Sequence, residues 1–225
     1  MNVSIRLATP TDAPAIAAVA AEVWPNEPLN AVIIGRLIAE SARATFVAEF
    51  NGEVVGFVDG FATWAASGDA RWEVDLLAVS TAAQGRGIGN RLVGESIAAG
   101  VAIGAKTARA LIRVGNFASE RVFATHGFVT DRDLSDLWVA DDLVPDEAQT
   151  LLHIVPVRTF RYAGLWLEDV TSEALQRLRP SDNGEIIGAV IRVTDHEASA
   201  SASAVGLQVD GQYRFWQRAL AASAG

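Results

Sequence analysis

Two hydrophobic rhythms organise the chain. Ile5-Arg6-Leu7 has the apolar–polar alternation of a strand. Thr11, Asp12 and Pro14 then supply helix-start chemistry, and Ile16, Val19 and Val23 recur at helical spacing before Pro25. A second helical stretch is predicted from Asn30 to Ala42, with Ile33, Ile34, Leu37 and Ile38 on one side. Thr45–Phe50 and Val54–Phe61 are β-rich and joined through Asn51-Gly52, a hairpin signal, because both residues accept the positive φ of a two-residue turn. Trp72–Val79 is predicted as a third strand. A Gly-rich turn follows, then a helix carrying Leu92, Val93, Ile97 and Val101. Ala110–Val114 reads as a strand and Phe117–Thr125 as a helix stopped by Gly127. Phe128–Thr130 and Leu137–Ala140 complete the sheet.

Between Asp131 and Glu147 seven acidic residues stand against one basic, Arg132. Such a cluster reads as a solvated linker, so a boundary is expected there, dividing the chain into domains 1–145 and 146–225. In the second part Thr159–Leu167, Glu185–Thr194, Val205–Val209 and Tyr213–Trp216 are strand-like, and Ser172–Leu178 is a short helix. Glu197–Ala204 is low in complexity and is expected as a loop or a small-residue strand. No internal repeat is evident. The expected class is α/β (α+β): a mixed, mostly antiparallel sheet flanked by helices, with a smaller β-rich C-terminal lobe. That lobe needs a packing partner, either the first domain or a second copy in a homodimer.

Composition narrows the chemistry. Half of the 225 residues are hydrophobic and 20% are charged, a globular balance. The net charge of −9 disfavours general binding to nucleic acid or an anionic membrane. Cysteine is absent, which excludes disulfides, thiolate metal sites and cysteine nucleophiles and suits a cytoplasmic location. No apolar run reaches a membrane span, and the N-terminus lacks a signal pattern. The three histidines, His126, His153 and His196, show no metal-ligand spacing.

The informative segment runs from Asp75 through Val79 and Gln84-Gly85-Arg86-Gly87-Ile88-Gly89-Asn90 to Leu92. A strand enters a turn with three glycines that opens a helix. The first N–H groups of such a helix lack partners and, with the helix dipole, form an anion site suited to a pyrophosphate. Arg86 and Arg91 add positive charge. A dinucleotide fingerprint would need glycine where Asn90 stands, and a P-loop would need Lys-Ser or Lys-Thr after the last glycine. Taken alone, a Gly-rich structural turn explains the segment as well as a binding loop does.

Gln84, Gly87 and Gly89 also match a Gln-x-x-Gly-x-Gly signature. It resembles the acyl-CoA pyrophosphate loop of the GCN5-related N-acetyltransferase (GNAT) superfamily. Downstream, Asn116 at a helix start, Phe117 and the terminal Gly127-Phe128 resemble that superfamily's later motif, at a fitting spacing. The resemblance covers roughly residues 3 to 140 and says nothing of the rest.

The resemblance implies an acetyl-CoA-dependent N-acetyltransferase, with acetyl-CoA as co-substrate and a small-molecule or peptide amine as acceptor. It implies that the Val79 backbone N–H polarises the thioester carbonyl and that Leu77, Ala78 and Val79 line the pantetheine arm. Gln84 to Gly89, with Asn90, would cradle the pyrophosphate, and Asn116 and Ser119 would bond the pantetheine end. Asp75 aligns with the acidic residue that deprotonates the amine in relatives; Glu73, two positions earlier on the same face, is the second candidate base. The sequence departs from the family at Phe123, which stands where relatives often carry a proton-donating tyrosine. Tyrosine occurs only as Tyr162 and Tyr213, so the acid is water, a C-terminal residue, His126, or unnecessary. The departure also admits an alternative, an acyl-CoA-binding module whose catalysis has decayed. For the acceptor side the clues are Glu22, Trp24, Glu27, Trp64, Asp69 and Trp72, since carboxylates and indoles suit a cationic amine.

Overall fold

The computed structural model describes residues 3–131, 133–145, 153–180 and 185–220. Their elements in chain order are β1 (Val3–Leu7), α1 (Ala13–Val23), α2 (Ala31–Ile38), β2 (Arg43–Phe50), β3 (Glu53–Trp64), β4 (Ala70–Val79), α3 (Ile88–Ala102), β5 (Thr107–Arg113), α4 (Phe117–Thr125) and β6 (Val129–Thr130). They continue with β7 (Ser135–Pro145), β8 (His153–Arg158), β9 (Ala163–Glu168), α5 (Ser172–Leu175), β10 (Leu178–Pro180), β11 (Glu185–Arg192), α6 (His196–Ala204) and β12 (Gln208–Ala219). The class is mixed α/β with mostly antiparallel pairing, flanked by helices. Two compact units are present. One comprises the chain up to Leu111, Asn116–Thr130 and the end from Phe215; the other comprises Ile112–Gly115 and Asp131–Arg214. The boundary expected after residue 145 adjoins residues 146–152, which lie outside the described residues. The compact units divide the chain after Thr130 and before Phe215.

In the first unit the strand order is β1-β2-β3-β4-β5, followed by the C-terminal part of β12, on which β6 pairs. The β2–β3 hairpin turns through Asn51 (φ 51°) and Gly52 (φ 84°), as the sequence predicts. Glycines set the distance of α3 from the sheet. A Cβ added to Gly60 would lie 2.7 Å from the Trp72 ring, and one added to Gly100 of α3 would lie 2.7 Å from it as well. Trp72, 1% exposed, fills the space between them and donates from Nε1 to Ser96 Oγ at 2.9 Å. Its burial removes it from the acceptor residues expected from sequence. The opposite face carries Phe57, which meets Trp24 edge-on at the end of α1.

In the second unit β7 lies between β11 and the N-terminal part of β12, and β9 and β8 follow β11. The acidic stretch expected as a linker is therefore largely a strand: Asp136, Asp141 and Asp142 lie on β7. Trp138, Leu143, Leu167, Leu175, Ile187 and Leu207 anchor this unit's core. Three C-terminal expectations change. Thr159–Leu167 is a turn followed by part of one strand: Thr159 Oγ1 accepts from the N–H groups of Arg161 and Tyr162 and turns the chain between β8, which ends at Arg158, and β9, which begins at Ala163. Glu197–Ala204 is helix α6, capped by Asp195, with Ala198 and Ala202 buried. Val205–Val209 and Tyr213–Trp216 contribute to one strand, β12, whose register shifts between Val209 and Gly211.

Two stretches of the chain share a strand, helix and glycine pattern not singled out from the sequence. The segment from Ile112-Arg113-Val114 to Gly127-Phe128 is matched in length by that from Ile191-Arg192-Val193 to Gly206-Leu207. Both are strand, capped helix and glycine exit. Asn116 accepts from Ser119 N–H at 3.2 Å and Asp195 from Ala198 N–H at 3.0 Å. Gly127 (φ 75°) and Gly206 (φ 99°) end the helices. Phe128 N–H then closes on Phe123 O, and Leu207 N–H on Ala202 O. After the first module and β6 comes β7, which pairs with β11; after the second comes β12, whose C-terminal part pairs with β6.

Candidate active site

The β4–β5 pair is parallel and short. Its register comprises Arg71↔Thr107, Trp72↔Ala108 and Glu73↔Arg109. β4 then continues to Val79 beyond the ladder, and β5 continues through Ala110 and Leu111, so the strands splay. On its other side β4 stays paired with β3 through Val79↔Gly56, with a register shift between Val58 and Gly60 that bulges β4 at Asp75–Leu76. The expected residues Asp75, Leu77, Ala78 and Val79 thus lie on the stretch of β4 that leaves β5.

The glycine loop stands at the end of that stretch. Gln84 Nε2 donates to Val79 O at 3.0 Å, tying the loop back to the strand. Gly85 and Gly87 both adopt φ +74°, and a Cβ at either would meet nothing within 4 Å. Gly87 is the N-cap of α3, so no side chain caps the N–H groups of Ile88, Gly89 and Asn90. An uncapped helix N-terminus reached through two left-handed glycines fits a pyrophosphate. Arg86 lies over the Phe50 ring at 5.8 Å and donates to Ala82 O, while Arg91 donates to Val3 O at 2.7 Å. The loop thus offers mainly backbone donors. In the second unit the equivalent parallel pair, β9–β11, holds register from Gly164 to Leu167 of β9. There α5 has four residues and a side-chain cap, Thr171.

The carboxylates differ in what they touch. Asp75 is exposed on the β4 bulge. Glu73 is held among cations: Arg109 Nε lies 3.1 Å from each carboxylate oxygen and Arg109 Nη2 lies 2.8 Å from Oε1. Thr63 Oγ1 donates to the same oxygen at 2.5 Å, and Arg71 Nε is 3.7 Å away. Asp59, absent from the residues singled out by sequence, is fully buried and paired with Arg43 and Thr45. Burial pushes its pKa up to about 6, against the opposing pull of Arg43. Its only sequence signal is a charge inside an apolar strand. Glu22 accepts from the Thr81 N–H at 2.7 Å, which holds its pKa below the ordinary carboxylate value. Asp69 accepts from Ser67 in a turn.

The later motif packs beside the loop. Asn116 and Ser119 form the first turn of α4 through the cap already described. Gly89 and Val122 approach so that a Cβ on the former would lie 3.7 Å from the latter. Phe123 is 3% exposed and meets Phe128 edge-on at 5.0 Å. His126 Nε2 donates to Asn90 O at 2.8 Å, joining α4 to α3. Tyr162 hydroxyl bonds Leu165 O and Ile186 O, and burial raises its pKa; Tyr213 hydroxyl bonds Asp210. Both tyrosine hydroxyls are engaged inside the second unit.

A splayed parallel pair thus stands with a glycine loop and an uncapped helix at its mouth. The model of the acetyltransferase (GNAT) family matches residues 11–128, and the chain belongs to that family. Solved structures share the fold at low identity. The tandem GNAT protein from the clavulanic acid biosynthesis pathway has a TM-score of 0.61 at 12% identity, covering 99% of this chain and 100% of its own. The glucosamine N-acetyltransferase region of a fungal multi-domain GH3 β-N-acetylglucosaminidase has a TM-score of 0.65 at 11% identity, covering 96% of this chain and 38% of its own. The GNAT-family acetyltransferase from Streptococcus pneumoniae has a TM-score of 0.50 at 18% identity, covering 63% and 89%. A comparison with the curated proteins finds none that matches. Among the described residues no helix is long and apolar enough to cross a membrane, and no His/Cys/Asp/Glu cluster could hold a metal.

Proposed function

We propose that the protein transfers an acetyl group from acetyl-CoA to a primary amine by direct attack. One observation carries this reading: the β4–β5 splay ends at the uncapped N-terminus of α3. Gln84 to Asn90 hold the pyrophosphate by backbone N–H groups, and Leu77 to Val79 hold the pantetheine arm. Asn116 and Ser119 bond its far end, and Phe123 supplies apolar packing behind it.

The chemistry needs one base and one set of donors. Asp75 takes the proton from the substrate ammonium, directly or through water. The amine nitrogen then bonds the thioester carbonyl carbon, and the Val79 N–H stabilises the charge that develops on the carbonyl oxygen. The carbon–sulfur bond breaks with its electron pair on sulfur, and the nitrogen releases its second proton to water, leaving the neutral amide and the CoA thiolate. Phe123 donates no proton, and none is required of it, because a thiol with a pKa of about 8.5 is a competent leaving group as its thiolate. The acceptor is a small-molecule or peptide amine.

The test is thiol release from acetyl-CoA, measured across a panel of amines, beside calorimetric binding of CoA. Amine-dependent release supports the enzyme. Binding without release for any amine favours the decayed acyl-CoA module, the reading that Phe123 supports. Absence of binding overturns both.

A further inference from the structure

The last rung of the β4–β5 ladder, Glu73↔Arg109, is also the bidentate ion pair. Backbone pairing and side-chain pairing stop together. From that rung onward β4 and β5 part, and Asp75 and Val79 lie on the parting strand. The same carboxylate collects β3 through Thr63 and a second residue of β4 through Arg71. Arg71 Nη2 in turn donates to Trp64 O, and the Arg109 guanidinium stacks on Phe215 of β12 at 5.4 Å. One half-shielded carboxylate, 15% exposed, therefore ties three neighbouring strands at the vertex of the cleft, and Phe215 covers its main cation.

We infer that the Glu73–Arg109 pair is the pin that sets the opening of the acyl-CoA cleft. Glu73 is a positioning residue and not the base. The inference rests on the reading of the splay as the pantetheine site. Its physical basis is that a bidentate guanidinium–carboxylate pair fixes distance and plane together. With Glu73 neutralised, Arg71 and Arg109 face each other across the strand pair without their shared anion. Partial removal of such a shielded pair costs more than removal of both members. The rung opens, and the backbone that should meet the pantetheine arm shifts. The loop of Gln84 to Asn90 lies at the far end of β4 and is not held by this pair.

The experiment measures affinity for two probes in Glu73→Gln, Arg109→Gln and the double variant. One is acetyl-CoA; the other is 3′-phospho-ADP, coenzyme A without its pantetheine arm. Each single variant should weaken acetyl-CoA by about tenfold while leaving 3′-phospho-ADP within about twofold. The double variant should be no weaker than the worse single, because the pair acts as a unit. With an accepted amine, Glu73→Gln should keep the acid limb of the pH–rate profile. Parallel loss of both probes, unchanged affinity for both, additive losses, or disappearance of the acid limb would overturn the inference. If the Gln variants fail to fold, Arg109→Lys carries the test. It keeps the charge, loses the fork, and should show a smaller loss for acetyl-CoA alone; equal affinity there would also overturn it. A wild type that binds acetyl-CoA but acetylates no amine defeats the enzymatic reading and leaves this comparison decisive.

Discussion

Glu22, at the end of α1, accepts a 2.7 Å hydrogen bond from the backbone N–H of Thr81, in the turn just past β4. A residue that sequence places on the acceptor side therefore clasps the turn that leads into the glycine loop. Glu22→Ala should raise the KM for acetyl-CoA by less than about fivefold, since exposed charged contacts are weak. The Thr81 N–H, and then its hydroxyl, lower the Glu22 pKa. The clasp is thus intact above the ordinary carboxylate range and is lost as pH falls through the lowered value. The difference between wild type and Glu22→Ala should narrow on acidification; a difference that widens would contradict the clasp.

Gly87 holds φ +74° with open space around its Cβ position. A Cβ there meets no protein atom, so the cost of Gly87→Val to the fold is chiefly backbone strain of about 1–2 kcal/mol. The protein should remain folded by circular dichroism, with a lowered Tm and sharply weaker CoA binding. Gly87→Asn, which tolerates the left-handed region, should lose less. Wild-type affinity in folded Gly87→Val would remove the loop from the site.

Asp75→Asn should lower kcat by about a hundredfold and abolish the acid limb of the pH profile, the signature of a lost base. Phe123→Tyr should give little gain. Phe123 is buried against Phe128, so a new hydroxyl there costs about 1–3 kcal/mol unless it finds a partner. Thermal melts and initial rates on the two variants check both statements.

Gly60 and Gly100 clamp Trp72 from two sides. Gly100→Ala should destabilise by about 1–3 kcal/mol through overpacking. Trp72→Phe in the same chain should recover part of that loss, less the contribution of the indole bond to Ser96. Denaturant midpoints of the two singles and the double decide it; strict additivity would show that ring and glycine do not press on each other.

Local signals were legible wherever a few adjacent residues suffice. Asn51-Gly52 defines its hairpin because the two residues supply the turn dihedrals themselves. Gln84 to Gly89 declares the loop, and Asn116 with Gly127 brackets α4, because caps and left-handed glycines act within one helical turn. The role of Glu73 was not legible: alternation puts it beside Asp75, but its cation Arg109 comes from another strand. Trp72 looked like a binding indole until Gly60 and Gly100 closed on it. Helix α6 was hidden because alternating serine and alanine carry almost no hydrophobic period, and its helicity depends on the Asp195 cap and the packing of Ala198 and Ala202. The common pattern was hidden because the two modules share little beyond Ile-Arg-Val and the exit glycine.

By itself the sequence determined the family, the order of elements from β1 to α4 and the glycine turn that opens α3. These follow from periodicity, turn dihedrals and helix ends, all of which act over a few bonds. Only the tertiary structure decided that β7 pairs with β11 and β6 with the C-terminal part of β12, that the β4–β5 ladder stops at Glu73↔Arg109, and that Asp59 is buried beside Arg43. Strand partners and buried ion pairs join residues distant along the chain. Their energies depend on which surfaces leave water together, and no local pattern carries that information.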